Sequence, residues 1–435
     1  MSVQLPDVGA RLKSRLCGLL LLLLCAARAA AQDVTPPTPT WPAIREIAFS
    51  GNDTTRPGTM LREMSVHVGD PADPAQVEHS RQAIQDLGLF KSVNVRQEPL
   101  PDGVRLVYVV REKFFLLPYP RLSGNVDRQY SYGAELRWNN IAGLNHSLRL
   151  LVSQSEPQRN GYGKQTSYSA SYLAPFIRDT ANDLELSADH VKAPMTDALT
   201  GSPYDEQFDS AEALLMHRFS TTAASQGWRV GGGALYQREN RSGPGAAPPY
   251  GHATALVGVL QYRDLHNQIY SEQGVIANLR HEVALRGALS DYGYSFFGAD
   301  YARYLPVGEV QHQTLELSAA AGGYYSGQQE VSHFSLGGTS GLRAYSKYRY
   351  DGNAYYYGAA LFQRPVGWPW LRAVGGLEVG NVADHAGTAL FRSLHADLLL
   401  GLRVRVSWFV DLQFEAGWAL PLNGSGAGRF YGGRL

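Results

Sequence analysis

From Phe115 onward, apolar and polar residues alternate in short runs separated by turn residues. In His395 to Val406, Ala396, Leu398, Leu400, Leu402, Val404 and Val406 share one face, opposite Asp397, Arg403 and Arg405. In Phe409 to Ala419, Val410, Leu412, Phe414, Ala416 and Trp418 oppose Asp411, Gln413 and Glu415. Leu184, Leu186 and Ala188 oppose Asp183, Glu185, Ser187 and Asp189, and Leu315, Leu317 and Ala319 oppose Glu316 and Ser318. A period of two is that of a strand with two different sides. Repeated segments of ~10 residues with this pattern are the signature of a transmembrane β-barrel. Strands are expected to begin near Leu116, Tyr130, Ser147, Gln165, Asp183, Phe208, Trp228, Thr254, Val275, Tyr294, Thr314, Asn353, Leu371, His395, Phe409 and Arg429. That makes about 16, an even number, as an antiparallel single-chain barrel requires. An Arg facing lipid near the midplane costs ~2–4 kcal/mol, so the charged faces look into the lumen. A soluble sandwich with one wet face has the same alternation. It leaves unexplained the aromatic residues at segment ends (Trp138, Tyr301, Tyr304, Tyr355 to Tyr357 and Trp418), which suit interfacial girdles.

The pattern changes upstream. Ile44 to Phe49 alternates as a strand and Gly51-Asn52 ends it. Thr59 to Met64 reads as a short helix. Asp73 is an N-cap with Pro74 in the first helical position, and Val77, Ile84 and Leu87 line one face, with Ser80 and Arg81 at its margin, up to Gly88. Phe90 and Val93 to Val95 begin a second strand, Pro101-Asp102-Gly103 turns, and Val104 to Val110 is a third. The order strand, helix, helix, strand, strand is a small α+β domain. The fold class is therefore mainly β: a 16-stranded antiparallel transmembrane barrel preceded by one small β-α-α-β-β domain.

At the N-terminus, Arg11, Lys13 and Arg15 precede an apolar run from Leu16 to Ala27, and Ala29-Ala30-Ala31 follows. Basic, apolar, then small residues is the order of a secretory signal peptide. Arg28 ends the run short of the ~20 residues a spanning helix needs. Cleavage after Ala31 would remove Cys17 and Cys25, which are both of the cysteines, so thiolate chemistry and disulfides drop out. Pro and Thr dominate 35–40, an extended linker. The expected organisation is signal peptide 1–31, linker 32–43, small domain 44–113 and barrel 114–435. Composition agrees with an exported strand-rich chain: 46 Gly, 25 Tyr and only 18% charged residues. Mean hydropathy is slightly negative, at −0.23. With 39 basic and 39 acidic residues the net charge is zero, and nothing marks a nucleic-acid surface.

The run Ile47-Ala48-Phe49-Ser50-Gly51-Asn52, the later Leu87-Gly88-Leu89-Phe90 and Val104 to Glu112 resemble a POTRA (polypeptide-transport-associated) domain. The resemblance implies a periplasmic domain that receives unfolded clients by adding their extended chain to a sheet edge.

A long connection before Asn353 contains Leu336-Gly337-Gly338-Thr339-Ser340-Gly341-Leu342-Arg343-Ala344-Tyr345, and two strands on comes Leu377-Glu378-Val379-Gly380-Asn381. These resemble the POTRA-plus-barrel outer-membrane assembly and translocation superfamily: the BamA-like and TamA-like proteins and two-partner secretion transporters, or bacterial surface antigen family. Tyr262-Arg263-Asp264 with Ser271 to Gly274 resembles that family's turn between strands eight and nine. The resemblance implies that Leu342, Arg343, Ala344 and Tyr345 form a loop tip folded into the lumen. It makes Glu378, with Gly380, the acidic partner of Arg343. A bidentate pair would fix loop position as well as charge. Ala344 stands where the family has Gly, Glu378 where it has Asp, and Gly376 where it has Phe. An unusual backbone angle at Ala344 would therefore be costly.

No H-E-x-x-H, P-loop or G-x-S-x-G motif occurs, and the twelve His are scattered. No catalytic residue, cofactor or metal is expected. The resemblance implies insertion, assembly or translocation of proteins at the bacterial outer membrane. Its partners would be unfolded outer-membrane or secreted clients, membrane lipid, and accessory lipoproteins or a periplasmic protein. The alternatives are a two-partner secretion transporter, which usually has two POTRA domains and a lumen-plugging helix, and a passive pore or structural barrel.

Overall fold

The computed structural model describes residues 41–123, 131–155, 164–197, 200–219, 223–246, 251–327, 334–338, 341–346, 349–385, 387, 390–423 and 428–434. The signal-peptide expectation and most of the linker lie outside the described residues.

The first unit of the fold is built on β1 (Ile44–Ser50), α1 (Pro57–Leu61), α2 (Pro74–Asp86), β2 (Phe90–Leu100) and β3 (Gly103–Glu112). The sheet order is β1-β3-β2, with β1 parallel and β2 antiparallel to β3. Gly51 sits at φ +84°, and a Cβ there would lie 2.1 Å from the Val110 carbonyl oxygen, so the turn after β1 demands glycine. Asp73 caps α2 by accepting from Ala75 N at 3.1 Å. Ile44, Met60, Val77, Ile84, Phe90, Leu106 and Tyr108 form one closed core. Two local expectations shift. The short helix spans Pro57–Leu61 rather than Thr59 to Met64, because Pro57 presets the first turn; Met64 leaves the helix yet stays in the core. Ser80, expected at the margin of α2, is fully buried, and its hydroxyl accepts from Ser65 N and Val66 N.

The wall is one 16-stranded antiparallel sheet. Its strands are β4 (Leu116–Ser123), β5 (Ser131–Ile141), β6 (His146–Ser155), β7 (Gln165–Ala174), β8 (Asn182–Thr196), β9 (Pro203–Phe219), β10 (Gly227–Ser242) and β11 (Gly251–Asn267). They continue with β12 (Glu272–Ala284), β13 (Tyr294–Pro306), β14 (Thr314–Gly327), β17 (Ala354–Val366), β18 (Trp368–Ala383), β19 (His395–Arg405), β20 (Gln413–Pro421) and β21 (Arg429–Arg434). Two short strands, β15 (Phe334–Leu336) and β16 (Tyr350–Gly352), pair with each other inside the connection between β14 and β17. Among the described residues no helix is long and apolar enough to cross a membrane.

Alternation sorts the wall into two sides. Leu398, Leu400, Leu402, Trp418 and Phe430 are exposed on the outside, whereas Glu378, Asp397, Arg403 and Glu415 are buried inside. Trp138, Tyr301 and Trp418 are exposed as a girdle requires. Tyr355 and Tyr357 differ from that expectation and face the lumen: Tyr355 packs on Phe334 at 4.7 Å between ring centres, and the Tyr357 hydroxyl donates to Glu378. The strand expected from Phe409 starts only at Gln413. Asp411 adopts φ +47°, which breaks the extended run, and Val410 packs instead against the core of the small domain.

Candidate functional site

The connection between β14 and β17 turns inward. Leu342 is fully buried and Ala344 nearly so. The left-handed residue is Leu342, at φ +58°, directly after Gly341 at φ +98°. The strain expected at Ala344 therefore lies two residues earlier, and alanine at 344 meets no left-handed requirement.

Carboxylates hold this tip mainly through its backbone. Arg343 N donates to Glu378 Oε2 at 2.9 Å and Ala344 N donates to Asp397 Oδ2 at 2.8 Å. The Arg343 guanidinium is shared: Nη1 lies 3.4 Å from Glu378 Oε1 and 3.4 Å from Glu415 Oε1. Its Cζ sits 5.2 Å from the centre of the Tyr431 ring. The expected bidentate fork on Glu378 is thus replaced by a backbone bond plus a cation between two acids. Tyr357 donates its hydroxyl to Glu378 Oε1 at 2.7 Å, completing that carboxylate. Tyr345 donates to Asn423 O at 2.7 Å and to Ala396 O at 3.0 Å. Gly380 lies beside Leu336, whose Cδ1 would be 2.9 Å from a Cβ at that position. The network continues outward from Glu415 to Arg403 and from Arg403 to Glu316 at 3.0 Å. From sequence, Asp397, Arg403 and Glu415 read only as lumen-facing charges, Tyr357 as a girdle residue and Tyr431 as part of the last strand; none was assigned to the loop tip, because the lumen side of β17 to β21 carries many such residues.

A second set of contacts lies where the small domain meets the wall turns. Thr59 Oγ1 donates to Gly143 O at 2.7 Å, and Asn140 Nδ2 donates to Thr55 Oγ1 at 2.8 Å, at the β5–β6 turn. Arg62 pairs with Asp179 at 2.7 Å and lies 4.4 Å over the Phe176 ring, before β8. Glu63 accepts from Ser225 N at 2.7 Å, before β10. Asp86 accepts from Asn267 N at 2.7 Å and meets His266 Nδ1 at 2.8 Å, at the β11–β12 turn. Burial pushes the Glu63 carboxyl up, and the hydrogen bond that the His266 imidazole donates to Asp86 pushes the imidazole up. Lys113, at the junction, donates to Gly88 O at 2.8 Å, and burial pulls its amine down to about 8. These contacts put the small domain under one mouth of the barrel, against successive turns.

The edges of the small sheet differ. The start of β1 is covered, since Ile44 N donates to Asp70 O and Gly69 N donates to Ile44 O. The outer edge of β2 has no strand partner among the described residues. Among the described residues no cluster of His, Cys, Asp and Glu has the arrangement of a metal site.

The POTRA family, described as a surface antigen variable number repeat, matches residues 42–113. The chain is a POTRA-plus-barrel protein of the bacterial outer membrane. Its POTRA domain lies on the periplasmic side, so the turns it touches are periplasmic turns. Outer membrane protein assembly factor BamA of Nitratidesulfovibrio vulgaris is 38% identical over 71 residues, which is 16% of this chain and 9% of that protein. BamA of Neorickettsia risticii is 31% identical over 145 residues, 32% of this chain and 18% of that protein. The chain thus spans less than a fifth of either relative. Among solved structures, CdiB from Escherichia coli has a TM-score of 0.64 at 12% identity, covering 91% of this chain and 77% of that one. BamA from Haemophilus ducreyi lacking POTRA domains 1–3 has a TM-score of 0.51 at 16% identity, covering 90% and 84%. At these identities the structural likeness is one of fold.

Proposed function

We propose that this POTRA-plus-barrel protein receives unfolded polypeptides in the periplasm and assists their assembly into, or translocation across, the outer membrane. The carrying observation is the POTRA domain set against the periplasmic turns, with no strand paired to the outer edge of β2 among the described residues, although Val93 O and Phe90 O accept from Arg81 and Gln85 of α2. An exposed strand edge accepts an extended chain through backbone hydrogen bonds with little demand on its sequence. The domain's position would hand such a chain to the barrel mouth. The BamA relatives, named as assembly factors, support the same reading. Accessory lipoproteins or a periplasmic protein would add to this machinery, and no catalytic step is assigned to the chain.

A passive pore fits less well. The loop tip, with Arg343, Glu378 and Glu415, occupies the lumen beside β17 to β21. Arg343, with Leu342, Ala344 and Tyr345, would act as the internal latch of that loop, and Glu378, Gly380, Asp397 and Glu415 as its seat. Deleting 44–112 should abolish client assembly or secretion while the barrel still inserts, read by the heat-modifiable migration of the barrel. Unchanged client levels would overturn the reading.

A further inference from the structure

The lumen side of β17 to β20 is layered. Leu361, Val374 and Leu399 form an apolar layer packed with Ala344 of the loop tip. Next to it, toward the periplasmic turns, comes a layer of arginines. Arg372 is the fifth residue of β18, and Arg403 stands directly opposite it on β19. Like charges set opposite each other in an antiparallel pair are destabilising. Two of these arginines have acids of their own. Arg403 meets Glu316 at 3.0 Å and Glu415 at 2.6 Å, and Arg405 meets Glu272.

Arg372 differs from both. Its side chain is 1% exposed, and its Nε and Nη2 have no hydrogen-bond partner among the described residues. Those two atoms form one edge of the guanidinium fork. Glu272 and Glu316 act on its charge only from a distance, against Arg403 and Arg405. A buried cation with free donors is a costly arrangement. The Gln363 amide, diagonally across on β17, also has an unbonded Oε1, but a neutral dipole does not offset a whole charge. A guanidinium only donates, so the group that completes this layer must accept and be negative. One edge of the fork matches two oxygens of a single oxyanion. The enclosure favours a small ion over a lipid headgroup or a client side chain, each of which brings a bulky remainder with it. Only about 10–15 Å of strand separate Arg372 from the periplasmic turn at Gly367, so that mouth is the way in.

We propose that Arg372 is the centre of an anion site inside the lumen, taking a small phosphate-class oxyanion from the periplasm on its Nε–Nη2 edge. The bound ion relieves the charge facing Arg403, which braces Glu415 beside Arg343 of the loop tip. The test uses the full chain in phosphatidylcholine nanodiscs in chloride buffer, and the probe is radiolabelled inorganic phosphate in equilibrium dialysis. The native chain should retain phosphate although chloride and lipid phosphate are in excess. Arg372→Met keeps the apolar stem and should bind at least about tenfold more weakly, as loss of a charged hydrogen-bonding partner implies. Arg372→Lys keeps the charge without the fork and should fall between the two. In phosphate-free buffer Arg372→Met should unfold no earlier than the native chain, read by heat-modifiable migration, because the substitution removes an uncompensated buried charge. Added phosphate should slow protease cleavage between Gly337 and Tyr350 in the native chain and leave that of Arg372→Met unchanged. No phosphate retained by the native chain, or equal retention by Arg372→Met, would overturn the site. Earlier unfolding of Arg372→Met without phosphate would also overturn it, since Arg372 would then be a structural residue held by its neighbours. Cleavage indifferent to phosphate in the native chain would overturn the link to the loop tip. None of these readouts involves a polypeptide client, so they stand or fall apart from the proposed function.

Discussion

In the POTRA domain, Leu106 and Tyr108 of β3 turn inward onto Phe90, Ile84 and Ile44, and all five are essentially unexposed. In the wall, Leu398, Leu400 and Leu402 of β19 turn outward, while Asp397, Arg403 and Arg405 of the same strand turn in. Both regions alternate, but the apolar side faces protein in one and lipid in the other. The difference lies in what each apolar side chain leaves behind when removed. A closed core has no solvent that can fill a hole, so a truncation there adds a cavity cost to the lost transfer energy. Lipid flows into a gap on the outer wall, leaving the transfer part alone. Phe90→Ala should therefore destabilise the POTRA domain by about 3–5 kcal/mol. Leu400→Ala should cost the wall no more than about 1–2 kcal/mol. Urea unfolding of the full chain in detergent, followed by proteolysis within 44–112 and by heat-modifiability of the barrel, reads the two regions separately. Equal effects would break the comparison.

The second contrast is between polar groups. The wall buries charges inside, and their worth depends on who shares them. Glu378 accepts from Arg343 N and the Tyr357 hydroxyl at once, beside the Arg343 guanidinium. Removing one partner of a buried charged set leaves the others unpaired and costs about 3–5 kcal/mol. Glu378→Ala should thus release the loop tip, giving new protease cleavage between Gly337 and Tyr350. Arg343→Ala should release it less, because Arg343 N, which survives the substitution, makes the shorter contact. If Arg343→Ala is the more disruptive of the two, the tip is held by the side chain and not by its backbone.

That ordering also marks where sequence reading stops. A period of two announces a strand and its two sides, which is why the wall strands were legible within a few residues, while the short β15 and β16 were not expected. It fails where a local turn interrupts it, as at Asp411, because a single left-handed residue leaves the apolar spacing of Val410, Leu412 and Phe414 untouched. It also cannot tell a girdle tyrosine from a luminal one: Tyr355 and Tyr357 sit at a segment end but turn inward. The motif around Arg343 and Glu378 was visible as a resemblance. Asp397 and Glu415 were not, since their role depends on the register of β18, β19 and β20, which brings Glu378 opposite Asp397 and Arg403 opposite Glu415. The POTRA contacts were hidden for a similar reason. Asp86 and His266 are 180 positions apart, and nothing in either neighbourhood points to the other.

The smallest expected effect concerns that last pair, where the two regions meet. His266 stands at the end of β11, against the POTRA domain, and its proton is held by Asp86, with Asp264 3.7 Å from its other nitrogen. Its affinity for the proton is raised, mainly by the Asp86 hydrogen bond. A base raised in the docked state strengthens docking fully below its free value of about 6.5, and that contribution is lost as pH rises through the raised value. Glu63 acts in the same direction at lower pH. Burial raises its carboxyl, so the docked state favours the protonated acid, and ionisation above its ordinary value of 4.5 works against docking. The POTRA domain should therefore grip the periplasmic turns less tightly as pH climbs above about 6.5 and through the raised value of His266. Hydrogen exchange of 82–88 and 265–271, corrected for intrinsic rates, should lose protection over that range. His266→Gln should flatten the response, and Asp86→Asn should flatten it while lowering protection throughout. Protection that grows with pH, or a response that persists in His266→Gln, would mean that the junction is held by the neutral bonds at Gly143 and Asn140 and is indifferent to this pair.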